Sequence, residues 1–257
     1  MVGKEKVISN TVYEFPLNEK VRTYLRLEQL FKQLNHAQDC SENWQFINFF
    51  DCFFTLLDLL ERLDIRTDIL KDIESHNKNL QHWSKHPKID QTALQQAIQK
   101  IVELKQKLKS SSKVGSGLKD DKFLSSIRQR FSIPGATCSF DLPNLHFWLK
   151  QPPEKVKSDI SRWLNEFALI NQAIDMTLSF LRERGRFEDI TATNGFYQGI
   201  ADERNDLIRI YCANNQNYYP TLSGNKYRYA IRFMFFAPDA SGKVARDKDT
   251  EFKLACC

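Results

Sequence analysis

Hydrophobic positions change their period near Gly185. Before it they recur at three- and four-residue intervals, which predicts helices; after it they alternate, which predicts strands. The first element is an exception. Residues 4–15 (KEKVISNTVYEF) are β-branched and aromatic with polar interruptions, and read as a short strand that Pro16 ends. Asn18 then caps a helix reaching about residue 35, with Leu17, Val21, Tyr24, Leu25, Leu27, Leu30, Phe31 and Leu34 as a wide apolar face. A second helix spans 41–63, with Ser41 as its predicted cap. Its Phe46, Phe49, Phe50, Phe53, Phe54, Leu56, Leu57, Leu59 and Leu60 leave little polar surface, which places it in the middle of a bundle. Helices over 66–84 and 90–108 follow, punctuated by Pro87.

Residues 110–117 (SSSKVGSG) have the composition of a flexible linker or loop. A short helix over 120–131, a structured loop over 132–143, and helices over 145–149 and 154–184 complete the first part. Beyond Gly185, strands are predicted over 207–212, 226–233 and 251–255. In 226–233, Tyr227, Tyr229, Ile231 and Phe233 fall on one side, with Lys226, Arg228, Ala230 and Arg232 on the other. Ser223-Gly224-Asn225 is a plausible hairpin turn before it. The predicted fold is α+β: a mainly helical bundle domain over 16–186 and a small antiparallel β domain over 187–257, which the strand in 1–15 joins. No internal repeat is evident.

Composition adds that the 257 residues, 42% hydrophobic and 12% aromatic, suffice for a sizeable core. The net charge is +5, and nearly all of the surplus lies in residues 113–186, with 12 basic against 8 acidic side chains. Such a field favours an anionic partner, and nucleic acid, an acidic peptide and a membrane surface all fit on this ground. No stretch approaches the ~18 apolar residues of a transmembrane helix, so no direct membrane insertion is expected. The six cysteines are scattered and no secretory signal precedes them, which suits free thiols in a reducing cytoplasm.

No catalytic constellation stands out, so an enzyme, a cofactor and a metal are not expected. Gly115-Ser116-Gly117 lacks the rest of a phosphate-binding loop. His82 and His86 are four apart without the glutamate of a zinc-protease motif or an obvious third ligand, and read as solvated histidines. Asp58, Glu61 and Asp64 read as the exposed edge of an apolar helix. Cys256-Cys257 is a prenylation signal, a vicinal disulfide or a pair of reduced thiols, the last being the simplest. Two basic stripes are more informative. Arg22 and Arg26 share a helical face that Gln29 and Gln33 extend, and Arg228 and Arg232 share a strand face. Guanidinium groups placed so can capture carboxylates or phosphates, or simply be solvated.

Residues 128–149 (RQRFSIPGATCSFDLPNLHFWL), with 16–26 (PLNEKVRTYLR), 194–198 (NGFYQ), 228–234 (RYAIRFM) and 252–257 (FKLACC), form an unusual ordered set. From about Tyr13 to the last residue the chain resembles the ZapD family of bacterial cell-division proteins. The resemblance implies a homodimer without catalytic activity. It would bind the C-terminal tail of FtsZ, the tubulin-like GTPase of the division ring, bundle its filaments and stabilise the Z ring, in the cytoplasm and recruited to mid-cell. It carries over FtsZ contacts to Arg26, His146, Arg228 and Arg232. Lys122 stands where the family has an arginine, keeping the charge but not the planar fork. Arg22, Arg128 and Arg130 lie in matching motifs, although Arg128 and Arg130, two apart on a helix, do not face one groove. His146 reads equally as a half-buried, hydrogen-bonded structural histidine. A basic nucleic-acid-binding module is the rival reading, without a recognised motif to support it, and an enzyme with an unrecognised site is a third.

Overall fold

The computed structural model describes residues 10–83, 90–202, 204–213, 217–225, 227–235 and 246–257. Among them, eight α-helices and two antiparallel sheets make an α+β fold. The chain forms two compact units: Leu25–Thr177, and the segment ending at Tyr24 together with Leu178–Cys257. His86, Pro87, Lys226 and residues 4–9 of the expected first strand lie outside the described residues.

Side-chain caps set several helix starts. Asn18 Oδ1 accepts the Val21 N–H at 2.9 Å and opens α1 (Glu19–Asn35). In α2 (Asn43–Arg62) the cap is not Ser41. Glu42 holds the cap position, and Gln45 reaches back so that its Oε1 accepts the Ser41 and Glu42 N–H groups at 2.8 and 2.9 Å. After α3 (Ile65–Trp83), Asp90 caps α4 (Gln91–Ser110) through the Thr92 and Ala93 N–H groups. Asp121 caps α5 (Lys122–Phe131) through Leu124 N–H.

The helical unit is organised around α2. Phe50 and Phe53 are fully buried. Phe50 has the rings of Phe49, Trp148, Trp163, Phe131 and Phe123 within 5.1–6.0 Å. These rings come from α2, α5, α6 (Pro143–Trp148) and α7 (Pro153–Asn165), so one side chain joins four helices. Phe123 stacks on Trp163 at 5.7 Å and 8°. The long helix expected over 154–184 is two helices, α7 and α8 (Ala168–Arg184). The chain turns at Glu166 and Phe167, where it drives the fully buried Phe167 ring to 5.5 Å from Phe53.

Residues 110–117, linker-like in composition, form a fastened loop. Arg66 Nη2 donates to the Ser111 carbonyl at 2.7 Å, to the Ser111 hydroxyl at 2.8 Å, and to the Ser112 carbonyl. The Gly117 N–H donates to Glu166 at 3.2 Å, and a Cβ at Gly117 would lie 2.8 Å from that carboxylate.

In the other unit the single small sheet expected from sequence is two sheets. One has the order β1 (Asn10–Pro16), β4 (Leu207–Ala213), β7 (Thr250–Cys256), β2 (Glu188–Ala192). The other has β3 (Phe196–Ile200), β6 (Arg228–Phe235), β5 (Tyr218–Gly224). The first strand does pair with β4, and it runs through Pro16 rather than ending before it, since an edge strand tolerates proline. The chain passes from one sheet to the other at Asn194-Gly195, both with positive φ (50° and 68°), closed by Phe196 N–H to Thr193 O at 3.0 Å. Between the sheets lie Ile208, Ile210, Phe252, Leu254, Tyr229, Ile231 and Phe233. Behind the first sheet, Glu14 is held by Arg182 at 2.6 Å and Arg209 at 3.0 Å.

Replacing Phe50 by Ala removes the ring that four helices share. It should lower unfolding stability by about 3–5 kcal/mol. A denaturant titration checks this; an unchanged midpoint would contradict the role given to α2.

Candidate partner-binding surface

The three-stranded sheet has one buried and one open face, and β6 shows why. Tyr229, Ile231 and Phe233 are buried between the sheets, so the two-residue period of a strand turns Arg228 and Arg232 outward. Both arginines are exposed. Cross-strand pairing sets their neighbours. Arg232 lies opposite Phe196 on one side and Thr221 on the other, and Arg228 lies opposite Ile200. The Arg232 guanidinium sits over the Phe196 ring, 5.4 Å from its centroid. Phe196 is 39% exposed and Ile200 is 89% exposed.

Neither guanidinium has a carboxylate partner among the described residues. The two are about 14 Å apart along the strand at ~3.4 Å per residue. At that separation each is screened from the other at physiological salt, where the Debye length is ~8 Å. The face therefore offers two separate cationic points with apolar side chains between and beside them. Chemically it fits an extended acidic segment with apolar residues, each carboxylate taking one guanidinium.

The turn that presents Arg228 is fixed by Asn225, whose Oδ1 accepts the Tyr227 and Arg228 N–H groups at 2.9 and 3.2 Å. It lies just after the predicted Ser223-Gly224-Asn225 turn, because β5 continues through Gly224. A Cβ there would lie 2.7 Å from Tyr229.

The other candidate residues are dispersed. Arg26 is exposed on α1, one turn after Arg22, which pairs with Glu19 at 2.9 Å. Lys122 is exposed at the first position of α5, where a cation gains nothing from the helix dipole. Arg128 is turned inward: it binds Glu61 at 2.8 Å and also Asp58, both on α2. Arg130 faces Asp141 at 3.7 Å instead. So the two α5 arginines take different directions, as their spacing predicts. His146 is half-buried, its Nε2 2.9 Å from the Thr137 carbonyl, tying α6 to the preceding loop. Arg228 and Arg232 belong to one compact unit, and Arg26, Lys122, Arg128, Arg130 and His146 to the other.

Asp58 and Glu61, read from sequence as a plain solvated edge, are the partners of Arg128. The hydrogen bond from Arg128 holds the Glu61 carboxyl below its ordinary value, against the opposing effect of burial. At Asp121, burial raises the pKa but the Leu124 N–H, Trp163 and Arg162 more than offset it, so it too is lowered. Asp202, on the surface, is lowered to about 2 by Arg204. Among the described residues no three His, Cys, Asp or Glu side chains are grouped as metal ligands, and no helix is long and apolar enough to cross a membrane.

Phe196 and Ile200 escaped the sequence reading. Their signal was the Asn-Gly turn in 194–198, which starts a strand.

The family model for ZapD, described as a cell division protein, matches residues 25–232. Proteins named cell division protein ZapD are similar over nearly the whole chain. The one from Photobacterium profundum is 40% identical over 95% of this chain and 98% of its own. That from Idiomarina loihiensis is 41% identical over 96% of each, and that from Shewanella is 39% identical over 97% of this chain and all of its own.

Replacing Arg128 by Ala leaves Asp58 and Glu61 without their shared cation. At neutral pH it should cost about 1–2 kcal/mol of stability for this partly exposed network, whereas Arg228→Ala should cost almost nothing. Glu61 has a lowered folded pKa, so its contribution is present above its ordinary value of 4.5 and fades as pH falls through the lowered one. The stability gap between wild type and Arg128→Ala should therefore narrow below about pH 4.5. Thermal unfolding of both proteins across that range checks it; a gap that widens in acid would contradict the pairing.

Proposed function

Because the chain belongs to the ZapD family of cell division proteins, we propose that it binds the acidic, apolar C-terminal tail of FtsZ and cross-links FtsZ filaments as a homodimer. It thereby stabilises the division ring at mid-cell, acting in the cytoplasm without chemistry of its own. The observation that carries this reading is the open face of the three-stranded sheet. Among the described residues, Arg228 and Arg232 stand there without carboxylate partners, beside the exposed Phe196 and Ile200. An acidic tail supplies the missing carboxylates, and its apolar residues cover the two exposed side chains.

Arg22, in the same unit as the sheet face, and Arg26, Lys122 and His146, in the helical unit, are proposed as further residues that meet FtsZ, each on its own unit. Arg128 is already committed to Asp58 and Glu61, and Arg130 faces Asp141, so these two are taken up within the helical unit rather than available for direct capture. Weak single sites suffice. A filament displays many tails, and two sites per dimer convert modest affinity into strong attachment by raising the effective concentration of the second contact. Because the arginines are exposed, the contact is screened: moving from about 0.1 M to about 1 M salt shortens the Debye length from ~10 to ~3 Å.

Replacing Arg26, Arg228 and Arg232 together by Glu should abolish co-sedimentation with FtsZ polymers and filament bundling, while circular dichroism and sedimentation mass stay as in wild type. High salt should reproduce the loss in the wild-type protein. Undiminished co-sedimentation of a folded triple variant would refute tail capture by this surface.

A further inference from the structure

The last turns of α1, the 3₁₀ turn His36–Asp39 and the first half of α2 line a groove of about 570 Å³ that the tail contact does not use. Its apolar lining includes Leu30, Ala37 and Phe49, and Trp44 stands at it 61% exposed. Its charge is the reverse of the sheet face. Asp39 and Asp51 line it, both exposed and without an ion pair among the described residues, and no lysine or arginine does, in a chain of net charge +5.

Two thiols, Cys40 and Cys52, also line the groove. Cys52 donates to the Leu30 carbonyl at 3.5 Å and to Gln33 Oε1 at 3.4 Å. Burial, then the neighbouring Asp51, pushes its pKa to about 11. Both thiols are therefore neutral at physiological pH, since Cys40 is raised as well. They add to the apolar wall, and the negative charge of the groove comes from the two aspartates.

The volume is that of a pocket for a few side chains, with an aromatic anchor and a small number of placed charges. We propose that this groove docks a basic, apolar segment of a second protein partner. A leucine-type side chain would pack against Phe49 and Trp44, and flanking lysine or arginine would meet Asp39 and Asp51. The site is separate from the sheet face and opposite to it in charge, so the protein would hold an acidic partner segment and a basic one at different places.

The probe is a synthetic peptide of alternating leucine and arginine pairs, with a leucine–glutamate peptide as its charge-reversed control, each titrated by calorimetry into the full chain. The arginine peptide should saturate at one per protomer. Trp44→Ala and Asp51→Lys should each weaken it at least tenfold while leaving circular dichroism and FtsZ co-sedimentation unchanged. Any binding of the glutamate peptide should be indifferent to Trp44→Ala. The Arg26, Arg228 and Arg232 triple variant should retain the arginine peptide, which separates the fate of this proposal from that of tail capture. Absence of saturation, or wild-type affinity in both groove variants, overturns the proposal. So does a change in sedimentation mass on Trp44→Ala, which would place a second copy of the chain in the groove.

Discussion

Burial of Tyr229, Ile231 and Phe233 between two sheets is the constraint on which the candidate surface depends. A strand has two sides, and once one is committed to the core the other has no choice of direction. Arg228 and Arg232 face outward for that reason. Pairing with β3 then sets Phe196 and Ile200 beside them without any contact having to be specified separately. A one-residue slip in register would reverse both faces and bury two guanidiniums. The hydrophobic packing that stabilises the sheet pair is thus also what presents the charges.

The helical unit uses its charges differently. Rings from four helices meet at Phe50, and the polar edge of α2 is tied down by Arg128 through Asp58 and Glu61. An arginine with two carboxylates in reach is a clamp between helices, whereas an arginine with none is available to a partner. That difference in unmet hydrogen-bonding capacity separates Arg128 from Arg228 and Arg232, although all three lie in motifs that resemble the family.

Much of this was legible in the sequence because the signals were periodic. Eight of the nine apolar positions of α2 are buried, Leu59 being half-buried, and the alternation holds from Arg228 to Phe233, whereas Tyr227, expected on the buried side, is exposed because it precedes the strand. The Asn18 cap followed from local chemistry. What was not legible depended on partners distant in sequence. The strands β2 and β3 have five residues each, largely exposed, so they lack an apolar run. Pro220 and Gly224 disguise β5 as a turn. Residues 110–117 look flexible because composition does not reveal that Arg66, more than forty residues away, holds them. The neutralisation of Arg128 across α2 and α5, and the acidic groove between α1 and α2, likewise arise only when helices pack.

The most direct measurement is amide hydrogen exchange of the full chain with and without a peptide of the FtsZ C-terminal tail. Strands β3 and β6 should gain protection around Phe196, Ile200, Arg228 and Arg232, with a smaller effect near Arg26. The aromatic centre of α2 should not change. Protection confined to the helical unit, with β3 and β6 exchanging as in the free protein, would contradict the account.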